Sequence, residues 1–321
     1  MPTFHHRLAG PADVPGMLEL LGSSACDGYG PSSGVGVAPT LARMLEEGAG
    51  RGTLLVEGAR AAGRSGQTLR GVAVTGFVAL ARARSWLEHP PLHLVDHVFE
   101  RESAGDPVLL RPARVAVENA ATGMALTFLA FAVGADLADP AVGKHIALMH
   151  ESFRLFHEGY YCPLALHPAS PSANARESLL GTGFQPVGDG SSVWSLDTTV
   201  LDRAPYHPLG VVLREFRPQL RFSPSEQSTL FRAVLGYADA EIAEELQVSV
   251  ETVRKRWRNI FQRVSDRPDI PIFPTGRDAP SETKRGPEKR RALLQYLASH
   301  LEELRPHAVR DSLPARARRD E

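Results

Sequence analysis

The chain has little cysteine: two residues in 321, Cys26 and Cys162, too far apart for a local metal motif. Two are also too few for a disulfide scaffold, so a reducing compartment is expected. Long apolar runs are missing as well, with no stretch of about 18 apolar residues to cross a membrane. The start, MPTFHHRLAGPADVP, lacks the apolar centre of a secretory signal. A soluble, cytoplasmic protein with no membrane partner is the expectation. An excess of one charge is absent too. Lys and Arg number 36 against 37 Asp and Glu, so any nucleic-acid surface has to be a local patch. No phosphate loop or HExxH motif occurs. What is there is 43% hydrophobic and 23% charged, material for well-filled cores in about two domains.

Three regions differ in texture. Up to about Asp197, apolar runs alternate with helical patterns, which predicts a mixed α/β domain. Strands are predicted at Thr53–Glu57, Gly71–Ala81, Met124–Val133, Cys162–His167 and Val193–Leu196. Helices are predicted at Pro11–Leu21, Thr40–Glu47, Leu92–Glu102, Gly143–Glu158 and Ala173–Gly181. The prolines of Asp202–Leu220 read as a linker, giving an α/β domain over 1–200 and a linker over 201–221. Residues 222–265 are patterned as helix throughout. The remainder, 266–321, reads as a second linker (Asp266–Pro287), an amphipathic helix (Glu288–Leu304) and a tail.

Within 222–265, Ser223 is placed to cap a helix, with Pro224 at its first position and Glu226 completing a capping box. Gly236 ends it, Ala238–Leu246 forms a short second helix, and Ser249 caps a third over Val250–Val264. Helix, tight turn and longer helix is a helix-turn-helix pattern. Val250, Val253, Trp257, Ile260, Phe261 and Val264 make a packing stripe on the third helix. Arg254, Lys255 and Arg258 fall on the other side, flanked by Thr252 and Arg256. Arginine suits guanine edges, and Lys and Thr suit phosphates. A helical bundle with a merely solvated basic face accounts for the same pattern.

Residues Phe222–Ile260 resemble the LuxR-type helix-turn-helix domain. The resemblance lies in Phe222-Ser223-Pro224-Ser225-Glu226, Gly236, Glu241-Ile242-Ala243, Leu246-Gln247-Val248-Ser249 through Thr252-Val253, and Asn259-Ile260. It implies an all-α DNA-binding domain with Thr252, Arg254, Lys255, Arg256 and Arg258 against double-stranded DNA. Two family cations are replaced, by Ser225 and Ala240, and Asp266–Pro287 separates any dimer-forming helix from the rest.

Most of Met1–Asp197 resembles the GNAT acetyltransferase fold, a mixed sheet flanked by helices. The resemblance rests on Phe4–Leu21 with Ala12-Asp13-Val14-Pro15, on Gly71–Ala81, on Met124–Val133 followed by the Gly143 helix, and on Asn174 through Gly183-Phe184. In that alignment the diphosphate loop reads Ala138-Asp139 through Ala141 and Gly143, keeping one glycine and adding a carboxylate. The tyrosine of active members falls at Leu179, and nothing places Tyr160 or Tyr161 in that role. The domain is therefore expected to be non-catalytic, with no catalytic, cofactor or metal residue assigned. His93 and His97, with Asp96 and Glu100, are four apart but lack a third convergent ligand. His145, His150 and His157 fall on different faces of one helix.

The combined expectation is a cytoplasmic transcriptional regulator whose GNAT-like domain senses a small-molecule or protein effector, with a homodimer left open. Two alternatives stand beside it. One is an N-acetyltransferase directed to DNA or a DNA-bound partner; the other is an interaction adaptor without DNA binding.

Overall fold

The computed structural model describes residues 3–23, 29–32, 34, 36–58, 66–134, 141–169, 172–188, 192–273 and 285–308. The chain folds as two compact units, one of residues 1–215 with 308–321 and one of residues 216–307.

Alternating small and branched residues build a seven-stranded mixed sheet in the first unit. Its strands are β1 (Phe4–Leu8), β2 (Gly50–Glu57), β3 (Thr68–Ala79), β4 (Met124–Val133), β5 (Leu164–Pro168), β6 (Gln185–Pro186) and β7 (Val193–Asp197), in spatial order 1-2-3-4-5-7-6. All neighbours are antiparallel except β4 and β5, which run parallel. A parallel pair needs a crossover, and α6 (Ala141–His157) supplies it. One sheet face, with Leu54, Val56, Val72, Val74, Ala125, Leu129, Leu164 and Leu166, is covered by α1 (Val14–Ser23), α2 (Val37–Glu46), α3 (Leu80–Glu88) and α4 (Leu94–Ser103). The other face packs on α6 and on α5 (Pro112–Ala120), α7 (Ala173–Gly181) and α9 (Gly210–Leu213), after α8 (Val200–Arg203). Strand period two explains the division: Leu54 and Leu55, or Ala125 and Leu126, face opposite cores.

Several elements differ from the sequence reading. The helices α3 and α5 carry too few apolar residues in period to stand out, and tertiary packing fixes them, while β1 lies where the GNAT resemblance places its first strand. Within the proline-rich Asp202–Leu220 stretch, Val212 and Leu213 are buried, and the Cys162 amide donates to the Val212 carbonyl at 2.6 Å. That stretch supplies core to the first unit up to residue 215.

In the second unit the helices are α10 (Pro224–Val234), α11 (Asp239–Glu245), α12 (Val250–Ser265) and α13 (Arg285–Ala298), followed by a 3-10 turn at Leu301–Leu304. The single helix expected over Glu288–Leu304 is thus broken after Ala298. The Ser223–Glu226 capping box is formed in both directions, at 3.4 and 2.7 Å. Ser249 Oγ accepts from the Thr252 amide at 3.1 Å. Gln247, in the turn between α11 and α12, holds φ 52°, a left-handed conformation that tightens the turn. Leu230, Ile242, Val253, Trp257, Ile260, Leu293, Leu297 and Leu301 are buried.

Candidate active site at the parting of two strands

β4 and β5 pair over three positions only, Ala125 with Leu164, Leu126 with Ala165 and Thr127 with Leu166. Beyond them β4 continues beside β3 to Val133, and β5 continues beside β7 to Pro168. A bulge opposite Val74 and Thr75 leaves Leu129 without a register partner on β3. Such an insertion bends a strand and strengthens its twist, which turns β4 away from β5. The result is a wedge-shaped opening with Thr127 at its vertex and Phe128 and His167 as the first residues past it. The Thr127 hydroxyl is fully buried and meets no hydrogen-bond partner among the described residues.

His167 is the titratable group at this opening. Its Nδ1 lies 2.6 Å from the Pro168 carbonyl, and a carbonyl only accepts, so Nδ1 carries the proton. In the neutral ring Nε2 is then a free lone pair, the form a general base needs. Burial pulls the His167 pKa down to about 4, against a smaller upward pull from the Pro168 bond, so the ring is neutral at physiological pH. Phe128, Phe184 and Tyr29 surround it, with ring centroids at 5.3, 5.7 and 4.6 Å. Burial likewise raises the Tyr29 phenol above its ordinary value.

Tyr29 reaches the opening from the stretch between α1 and α2. Its amide donates to the Phe131 carbonyl at 3.1 Å, and the Phe131 amide donates back at 2.8 Å. Past the opening, α6 starts at Ala141 with no acidic residue in its first turn, and Gly143 there is exposed with open space around its Cα. A 17-residue helix directs unpaired N–H groups and a partial positive charge to that end.

The residues singled out from the sequence are placed as follows. Ala138 and Asp139 lie outside the described residues, as does Cys26. Leu179 is in the core, Tyr160 is buried against Phe77 with Arg51 over its ring, and the Tyr161 amide is held by Asn119. Cys162 is buried, and its thiol is pushed above its ordinary value. His93 is the N-cap of α4 rather than part of it, and Asp96 is engaged by Ser32 through backbone and hydroxyl at 2.8 and 2.7 Å. Among the described residues no group of three or more His, Cys, Asp or Glu could hold a metal. His157 bonds Thr75 and the Phe153 carbonyl, His145 packs edge-on to Phe4, and His150 is exposed.

On α12, Arg254, Lys255 and Arg258 are exposed. Arg254 and Arg258 share the carboxylate of Glu251, at 3.7 and 3.1 Å. Arg256 turns inward to the Thr229 hydroxyl at 3.2 Å and the Ser225 carbonyl at 3.5 Å. Thr252 is half-buried, its hydroxyl 2.9 Å from that of Ser249.

No family model matches the chain, and no curated protein matches it. Solved structures do. An aminoglycoside acetyltransferase AAC(6')-Ib in complex with coenzyme A is 14% identical, covering 63% of this chain and 99% of that one, at TM-score 0.34. FeeM, an N-acyl amino acid synthase from uncultured soil microbes, is 12% identical over 62% of this chain and 93% of that one, at TM-score 0.33. The KacTA–DNA complex matches at 12% identity over 63% and 98%, at TM-score 0.29.

These findings correct the sequence reading. The LuxR-type resemblance is matched by no family model. The expectation of a LuxR-type transcriptional regulator falls, and with His167 at the strand opening so does that of a non-catalytic first unit. The expectation rested on the missing proton donor at Leu179 on α7 and did not consider His167 on β5, which faces the strand opening. The signal was a histidine ending an apolar strand, which from sequence alone is indistinguishable from a core residue. No helix among the described residues is long and apolar enough to cross a membrane.

Proposed function

We propose that the first unit is a GNAT-type N-acyltransferase using an acyl-coenzyme A, and that the basic face of α12 directs it to DNA or to a DNA-bound partner. The observation that carries this reading is the parting of β4 and β5 with a neutral histidine, Nε2 available, at its mouth. The donor's chemical groups fit what surrounds it. The start of α6 offers N–H groups and no carboxylate in its first turn to a diphosphate, and the unpartnered Thr127 hydroxyl stands at the vertex. When bound, the donor supplies an activated acyl carbon. His167 would take a proton from the attacking amine on Nε2 as the new C–N bond replaces the donor's C–S bond, and would return it to the departing thiolate, while the Pro168 carbonyl holds the ring's tautomer. Phe128 and Phe184 exclude water from that ring. On α12, Arg254, Lys255 and Arg258 are the groups for base edges and phosphates, with Thr252 and Arg256 beside them. Thiol release from acetyl-coenzyme A in the presence of a panel of amines tests the reaction, and calorimetry with coenzyme A tests the donor. Enzyme-dependent release is expected; absence of both release and coenzyme A binding overturns the reading.

A further inference from the structure

The edge of β4 beyond Thr127 has lost β5 as a neighbour, so its outward N–H and C=O groups need another partner. Phe131 finds one in Tyr29, by two reciprocal backbone hydrogen bonds that make an isolated bridge one residue long. The Tyr29 ring fills the opening itself, 4.6 Å from His167 and 6.3 Å from Phe131. Gly30 follows closely along the strand: a Cβ there would stand 3.6 Å from that of Ala130. Ser32 anchors the other end on α4, its amide and hydroxyl both donating to Asp96. Residues 29–32 thus lie as a short strap across the strands' parting, pinned once on β4 and once on α4.

The acyl arm of coenzyme A is an extended chain with two amides. It needs the kind of strand edge that Phe131 presents, and needs to pass His167 for transfer. Both positions are held by the strap. We propose that Tyr29–Ser32 is an autoinhibitory strap that occupies the acyl-donor slot, and that donor binding requires its withdrawal. The inference rests on the acyltransferase reading above. Withdrawal frees the Phe131 N–H and C=O for the donor and uncovers the His167 ring. A protein whose binding-competent form is a minor fraction binds with its affinity reduced by that fraction, so weakening the strap tightens donor binding.

The test is calorimetric titration of the full chain with coenzyme A, for wild type, Tyr29→Ala and Ser32→Ala. Ser32→Ala removes one anchor while leaving the core rings in place, so it decides the matter should Tyr29→Ala fold poorly. Both variants are expected to bind coenzyme A about 10- to 100-fold more tightly, as for a competent fraction of one-tenth to one-hundredth. In wild type, saturating coenzyme A is expected to raise amide hydrogen exchange in the peptide containing Tyr29–Ser32 and to leave β2 unchanged. Equal affinity in all three proteins, with no change in exchange, overturns the strap and leaves the acyltransferase reading standing. No coenzyme A binding by any of them overturns both.

Discussion

His167 holds its ring direction through one hydrogen bond and its charge state through burial, and these can be separated by substitution. His167→Gln keeps a polar side chain of similar reach but no proton acceptor of comparable basicity. It is expected to lower kcat with an amine acceptor about 100-fold or more, within the range for loss of a general base, with coenzyme A affinity unchanged. Steady-state rates and calorimetry on the same protein check this, and an unchanged kcat removes His167 from the chemistry. Trp257 poses a different question. It is buried beneath Arg290, 4.4 Å above its ring, and donates to Asp239 at 3.2 Å. Trp257→Ala is expected to destabilise the second unit by roughly 3–5 kcal/mol, the range for deleting a large buried aromatic. A melting curve like that of wild type would contradict its placement in the core.

At the scale of elements, α12 combines a buried stripe with a face on which Glu251 ties down two arginines. Exposed ion pairs of this kind contribute little to stability, so their main effect is on the local field. Glu251→Gln is expected to strengthen DNA binding and steepen its fall with salt, whereas Arg254→Ala and Arg258→Ala each weaken it by about 1–3 kcal/mol. Fluorescence anisotropy over a salt series reads both effects; if none of the three moves, this face does not meet DNA. The helix itself was plain in the sequence because its apolar residues recur at three and four and Ser249 marks its start. Strand β4 was legible to the residue, since ten consecutive apolar or small residues have one reading beside a turn. The opening between β4 and β5 was not. It depends on a bulge at Leu129 and on a three-residue pairing, and neither leaves a mark in residue type. His167, Thr127 and Tyr29 sit far apart in sequence, and only the register of two strands brings them together.

For the molecule as a whole, buried ionisable groups set how folding responds to acid. His167 takes up its proton near pH 4 when folded and near 6.5 when unfolded. Between those values the unfolded chain binds more protons, so stability falls as the pH drops from about 6.5 to about 4, by roughly 3 kcal/mol in total. Glu102 adds a loss at lower pH. Burial pushes its carboxyl up, but Arg111 and the Leu109 and Val108 amides pull it further down, so its stabilisation disappears as it protonates. Denaturant melts at pH 7, 5.5 and 4 are expected to show this decline for wild type and a flatter profile for His167→Gln. Identical profiles would place His167 in water.

Glu303 carries a consequence of another kind. Fully buried, its carboxylate accepts from the Gln219 and Leu220 amides at 2.8 and 2.9 Å, while the Gln227 amide group donates to the Glu303 and Arg305 carbonyls. These bonds join residues 219–227, near the start of the second unit, to residues 303–305, near its end. A single backbone nick between residues 227 and 303 is therefore expected to leave the two ends of the second unit joined by these bonds.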